Sequence, residues 1–343
     1  MKLTFSIAAR LWALLLLADP AWLVAQSPTP SSNYARGVEA FRHKDYTAAA
    51  ALLADVGPDS ADAALYRGKA LANLKRFSEA ESSLRLYCAA HPENPEARYL
   101  LGYVLFSQNQ PQASLDAYTQ AARLHRPLGD DLKIVGLDYV LLNDNEDAAK
   151  WLEQAVALDP ADVDAWYALG RVRFSQNFFP KARAAFDHVL ALDPRNVKAE
   201  SNLGLLYEAD SRPEDAIKAY RQAIAWQRAN SSAEIRPTEQ PFLNLGILLL
   251  ARDQASEAEQ TLQEAVRITP ASASAHGHLG RAYLQREDAA KAQAELAIAV
   301  QLEPGNASWH YQLGRALRRL GQTERAKSEF VTAERILAGK SSR

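Results

Sequence analysis

Apolar positions in this chain recur with the period of a helix, and they come in paired stretches. Around Gly170, Trp166, Leu169 and Phe174 fall on one helical face; after a polar break, Ala182, Phe186, Val189 and Leu190 define a second. Pro194 closes the couplet, because proline cannot continue a helix and suits the turn to the next one. The couplet repeats along the chain. Gly68, Gly102, Gly136, Gly170 and Gly204 are spaced by 34 residues, Gly246, Gly280 and Gly314 resume that spacing after one interval of 42, and Gly37 precedes the series by 31. The pattern predicts an all-α chain of about nine helical hairpins across residues 31–338, followed by a tail at 339–343. The units run near 30–60, 61–94, 95–128, 129–162, 163–196, 197–238, 239–272, 273–306 and 307–338. One hairpin cannot bury its apolar face alone, so neighbours must stack into a solenoid.

Small residues keep the same register. Twelve positions after each glycine stand Ala49, Ala80, Ser114, Ala148, Ala182, Ala216, Ala258, Ala292 and Ala326. Seven further on come Val56, Tyr87, Ala121, Ala155, Val189, Ala223, Ala265, Ala299 and Ala333. Glycine in a first helix and alanine in a second let two backbones approach closely, at some cost in helix propensity. Two departures stand out: a trimmed connection at Val56–Ser60, and an extension within 224–238 that reads equally as a tolerated loop or a recognition element.

The unit from Val163 to Asn196, with Trp166, Leu169-Gly170, Ala182, Phe186 and Pro194, resembles the tetratricopeptide repeat (TPR) family. Its departure is Arg173, where tyrosine is usual; the next unit has Tyr207 and Tyr220. The resemblance covers about residues 30–338. It implies a right-handed superhelix whose concave groove is lined by first-helix residues three before the glycine and one, four and five after it. Those positions hold Tyr99, Tyr103, Phe106, Lys133, Leu137, Tyr167, Arg171, Phe174, Arg281 and Arg315. Aromatic, aliphatic and arginine side chains of this kind are enriched at protein-binding hot spots. The implied partner is a polypeptide segment, apolar or amphipathic, with acidic groups meeting Arg171, Arg281 or Arg315. A two-carboxylate clamp of the family is not expected, since Leu137 follows Lys133 where asparagine is required. An asparagine ladder is not expected either, because only Asn202 and Asn244 recur at that place.

Composition narrows the classes further. With 48% apolar and 23% charged residues in 343, and a net charge of −2, the chain reads as folded and gives no basic field for nucleic acid. No phosphate loop, nucleophile elbow or Cys-x-x-Cys is present, so we expect a non-enzyme without a cofactor. Cys88 is the single cysteine and, in this register, a buried filler. His276, His278 and His310 are a minor candidate for metal, but His276 and His310 share the core register of Trp166 and Phe242. Asn230 and Asn306 begin acceptor triplets that matter only in a eukaryotic host.

The first residues are of another kind. Lys2 and Arg10 precede the run Leu11–Leu17, Asp19-Pro20 interrupts it, and small residues lead to Ala25 and a polar stretch. This predicts a secretory signal peptide over 1–25, cleaved near Ala25, with a short linker at 26–30 and a secreted or periplasmic mature chain lacking a membrane span. The rival reading is an uncleaved anchor, against which Asp19-Pro20 breaks the apolar run short of the length a bilayer needs. Charge is uneven as well. Residues 129–170 carry ten acidic against two basic groups, whereas residues 307–343 carry eight basic against three acidic. Such runs are by default solvated helical faces. They also allow a homo-oligomer, with the acidic and basic ends of different copies meeting.

Overall fold

The computed structural model describes residues 32–54, 61–229 and 237–341, which form eighteen α-helices and no strand. The expected signal peptide, its cleavage point and linker, the connection at Val56–Ser60, the core of the 224–238 extension and the last two residues lie outside them. The described residues fall into two compact units that divide between Ala185 and Phe186.

The first unit contains α1 (Ser32–Arg42), α2 (Tyr46–Ala54), α3 (Ala61–Asn73), α4 (Phe77–Ala90), α5 (Pro95–Ser107), α6 (Pro111–Ala122), α7 (Gly129–Leu141), α8 (Asn145–Leu158) and α9 (Val163–Ser175). The division falls within α10 (Phe179–Leu192). The second unit holds α11 (Val197–Ala209), α12 (Pro213–Ala229), α13 (Gln240–Ala251), α14 (Ala255–Ile268), α15 (Ala273–Gln285), α16 (Ala289–Leu302), α17 (Ala307–Arg319) and α18 (Thr323–Ser341). Within each unit the first helix of a hairpin folds back against its second, and each hairpin packs on its sequence neighbour. This is a TPR-type helical-hairpin solenoid.

The glycine register has a more specific cause than close backbone approach. Sixteen positions after the glycine, a second helix carries a large side chain, and that side chain occupies the volume a Cβ would need. A Cβ on Gly102 would lie 2.7 Å from the Tyr118 ring; on Gly136, 2.7 Å from Leu152 Cγ; on Gly280, 2.5 Å from Leu296 Cγ. The alanines twelve positions on are buried, and Ser114, which replaces one of them, donates its hydroxyl to the Gly102 carbonyl at 2.9 Å.

The ends of the first helices repeat as faithfully. Asn94, Asp162, Asn196 and Ser272 each accept a backbone N–H from the first turn that follows. At the other end, Lys44, Lys75, Asn109, Asn143, Asn177, Ser211, Asp253, Glu287 and Gly321 have positive φ, always seven positions after the register glycine. The residue after each of them donates its N–H five residues back, as in Gln110 to Leu105 at 3.0 Å and Asp288 to Tyr283 at 2.9 Å. A Schellman motif therefore reverses every hairpin.

Part of the 224–238 extension is helical. α12 runs on to Ala229, burying Ile224 and Gln227, and the Gln227 amide makes reciprocal bonds with the backbone of Thr238 at 2.9 and 3.1 Å.

Candidate functional site

In the first unit, α5 and α7 bring four of the ten expected groove residues together. Tyr99, Tyr103, Phe106 and Leu137, all half-buried, pack against Leu115, Tyr118, Ile134 and Val135. The rings are held at fixed angles: Tyr99 meets Tyr118 with centroids 5.8 Å apart, and Tyr103 meets Phe77 edge-on at 6.3 Å. The Tyr99 hydroxyl donates to the His125 carbonyl at 2.6 Å, which fixes its far end. Aromatic side chains immobilised in this way present apolar surface without a large ordering cost on binding. Tyr118, Tyr139 and Trp151 belong to the same cluster and were not among the expected residues. They sit on second helices or off the register positions, though their aromatic character was visible in the chain.

On α9, Tyr167 is half-buried and Arg171 exposed, while Phe174 turns to Phe179 with centroids 5.6 Å apart. Arg173, the family departure, ion-pairs with Glu153, bonds Gln176 at 2.8 Å and lies over the Phe178 ring.

Lys133 does not present a free cation. Only 5% of it is exposed, and its ammonium lies between Asp130 at 3.0 Å and Asp162 at 2.5 Å. Burial alone would depress the ammonium, but Asp162 and Asp130 together hold it above the ordinary lysine value. The expectation for Lys133 as a groove contact needs correcting on this ground: its charge is consumed in tying α9's N-cap to α7.

The acidic stretch is likewise not all solvated face. Asp131 is buried, accepting the Leu128 N–H at 2.8 Å. Asp138 is wholly buried in α7, at a register position that holds Val104 in α5 and Val172 in α9. The Ser114 hydroxyl beside it gives its proton to Gly102, and neither carboxyl oxygen has a bonded partner. Burial without a hydrogen-bond donor pushes the Asp138 carboxyl up to about 7.

In the second unit the first-helix positions change character along the chain. α13 places Leu243, Ile247 and Leu250 there, of which only Ile247 is half-buried and the other two are buried. α15 and α17 offer Arg281 and Arg315, both half-buried, together with the exposed Tyr311. The glycine Gly277 replaces a side chain three positions before Gly280, and Trp309 fills that space, 2.6 Å from where a Cβ would be.

Two histidines of this unit, His276 and His310, are structural latches. His276 has Nε2 on the Pro270 carbonyl at 3.0 Å and Nδ1 on Glu295 at 2.6 Å; His310 repeats both contacts with Pro304 and Glu329. Trp166 donates to the Pro160 carbonyl at 3.0 Å from the equivalent place. Both ring nitrogens of His276 and His310 are thus engaged within the protein, and among the described residues no group of three or more metal-ligating side chains assembles.

A cavity of about 400 Å³ opens between α4, α5 and α6, over Cys88 and Leu101. Its cations are committed: Arg85 to Glu81 at 2.8 Å, and Arg98 to the Pro92 carbonyl and to Gln120 at 2.6 Å. Burial pushes the Cys88 thiol up, which suits a packing role.

Residues 34–95, 84–128, 167–233 and 278–336 match the tetratricopeptide repeat family, and residues 136–177 match a second description, TPR repeat. Type IV pilus assembly protein PilF of Pseudomonas aeruginosa is 29% identical over 137 residues, covering 39% of this chain and 51% of that protein. Anaphase-promoting complex subunit 3 of Schizosaccharomyces pombe is 21% identical over 193 residues, 56% of this chain and 28% of that one. The chain thus spans at most about half the length of these relatives. A solved tetratricopeptide repeat protein from Parabacteroides merdae superposes with a TM-score of 0.60 at 16% identity, over 75% of this chain and 99% of that one, a likeness of fold.

Proposed function

The chain belongs to the tetratricopeptide repeat family, and from that premise we propose that it is a non-catalytic scaffold that holds an apolar or amphipathic polypeptide segment against its first helices. The observation that carries this reading is the cluster of Tyr99, Tyr103, Phe106 and Leu137, where α5 offers half-buried rings in preset orientations beside a leucine of the next hairpin. Tyr167, Arg171 and Phe174 continue the surface one hairpin on. Affinity comes from completing the burial of these rings, at roughly 25 cal/mol per Å² of apolar surface removed from water. The names of two relatives, a pilus assembly protein and a complex subunit, agree with work on other polypeptides.

We place that work in the cell envelope. The signal-like segment ahead of the repeats and the pilus assembly relative support this, and no described helix is long and apolar enough to cross a membrane. Self-association through oppositely charged ends is the weaker reading, because Asp130, Asp131, Asp138 and Asp162 hold much of the acidic surplus inside the fold.

The test compares capture from a native envelope fraction by the wild-type chain and by Tyr103→Ala/Phe106→Ala/Arg171→Glu, both checked for helicity. A protein retained by the first and lost by the second supports the reading. Equal capture by both removes the site from this surface, and recovery of the chain alone favours the oligomer.

A further inference from the structure

Two cations at first-helix positions in the first unit, Lys69 and Lys133, are neutralised by the protein itself. Lys69, one position after its glycine, reaches Glu96 at 2.7 Å, and Lys133 lies between two aspartates. The second unit departs from this. Arg281 and Arg315 occupy the same place in consecutive hairpins, one after Gly280 and one after Gly314, and both are half-buried. Among the described residues each guanidinium has only a neutral partner: His278 Nδ1 accepts from Arg281 at 3.2 Å, and Gln312 Oε1 accepts from Arg315 at 2.9 Å.

The two guanidinia act on each other. Burial first, and then the charge of Arg315, depress Arg281, with no acidic group opposing them. His278 is held neutral by the same surroundings: burial and Arg281 bring it down to about 4, so it serves Arg281 as an acceptor and cannot supply an anion. Trp309 stands edge-on to His278, with centroids 5.2 Å apart, and fixes the ring. The remaining cations here are turned elsewhere, Arg319 to the Leu284 carbonyl and Arg318 over the Phe330 ring. A pair of like charges, partly desolvated and without a counter-ion, is a standing cost that a carboxylate placed between them reverses, because each fork can donate two parallel bonds to it.

The geometry points to Arg281 and Arg315 as a carboxylate-binding site for an acidic side chain of a partner polypeptide, whose apolar flank lies on Ile247 and Tyr311. This rests on the scaffold reading and names the chemistry of the segment it holds. Ile247 stands at the register position of α13, one hairpin before Arg281, and sets no charge against such a segment. Tyr311 is exposed on α17 and steadied by Phe330, with ring centroids 5.6 Å apart.

A random peptide display library selected on the full chain tests the assignment, with Arg281→Gln/Arg315→Gln selected in parallel and an Arg281→Glu variant as a charge reversal. The expected result is enrichment of Asp or Glu beside apolar residues on the wild type, loss of that bias on the glutamine variant, and a Lys or Arg bias on the reversal. A selected acidic peptide should lose about tenfold in affinity when its acid is made the amide, roughly 1.4 kcal/mol. Peptides selected without acidic bias overturn the site while leaving the scaffold reading intact, and the absence of any selected peptide counts against both. Equal displacement by inorganic phosphate at the peptide's own concentration identifies a simple anion site instead, and selection of sequences matching residues 129–170 identifies a second copy. Either outcome overturns the assignment.

Discussion

Gly246 and Leu262 share one volume: a Cβ on the glycine would fall 2.5 Å from the leucine Cγ. In a hairpin built this way the small residue and the large one are a single packing decision. Gly246→Ala gains up to about 1 kcal/mol of helix propensity but overpacks the site by about 1–3 kcal/mol, so urea unfolding should show net destabilisation. Leu262→Ala alone should cost about 2–5 kcal/mol. The double variant should be more stable than the sum of the two by about 1 kcal/mol, since the new methyl enters the space the leucine leaves. Gly305, with nothing within 4 Å of its would-be Cβ, is the control, and Gly305→Ala should be nearly neutral.

That relationship shows what was legible beforehand and what was not. The glycine spacing, the small residues twelve and nineteen positions on, and the closing prolines announced the hairpins, because each reports a helix–helix distance or a turn. The large residue at the sixteenth position was equally periodic, but Leu53, Tyr118 and Phe330 share no single identity, so the register reads only once the void is seen. The positive-φ residues vary from Lys44 to Asn177 to Gly321 because the Schellman hydrogen bonds, not the side chain, set that backbone. At the candidate site, aromatic residues on α5 were readable from register alone. The fate of Lys133 was not, because one of its aspartates is 29 residues away and comes close only when hairpins stack.

Asp138 should make stability fall as pH rises. Its folded-state carboxyl titrates near 7, well above the ordinary carboxylate, so the folded state keeps a proton the unfolded chain has lost. Stability from this group is greatest below the unfolded value near 4 and declines as pH climbs to about 7, then levels. Asp138→Val, matching Val104 and Val172, should remove that slope and raise stability at neutral pH by about 1–4 kcal/mol. Denaturant midpoints measured across the range would decide it; an unchanged slope places the titrating group elsewhere.

Lys133 is expected to matter for folding rather than for recognition. Lys133→Ala leaves Asp130 and Asp162 facing each other without a counter-charge and should cost about 3–5 kcal/mol. Lys133→Ala/Asp162→Asn should recover part of that loss. Partner capture per folded molecule should be the same for wild type and both variants, and a selective loss of capture with unchanged stability would return Lys133 to the binding surface.

The hairpin turns predict opposite signs for two substitutions at equivalent places. Glu287 holds a φ of 65° and Gly321 a φ of 73°. Glu287→Gly relieves left-handed strain and should raise Tm, whereas Gly321→Ala introduces it and should lower stability by about 1 kcal/mol. Thermal unfolding followed by circular dichroism reads both, and like-signed shifts would contradict the assignment of these turns.

The central claim, that polypeptide is held on the first-helix face around α5 and α7, is tested most directly by site-specific photo-crosslinking in the native envelope. A benzoyl-phenylalanine placed at Tyr103 keeps an aromatic ring at the proposed contact, and one at Leu86, exposed on α4, samples the second-helix side of the same unit. The account predicts a discrete crosslinked protein from Tyr103 that is absent from Leu86 and is lost when Phe106→Ala is added. Crosslinks from Leu86 alone, or the same product from both positions, would contradict it.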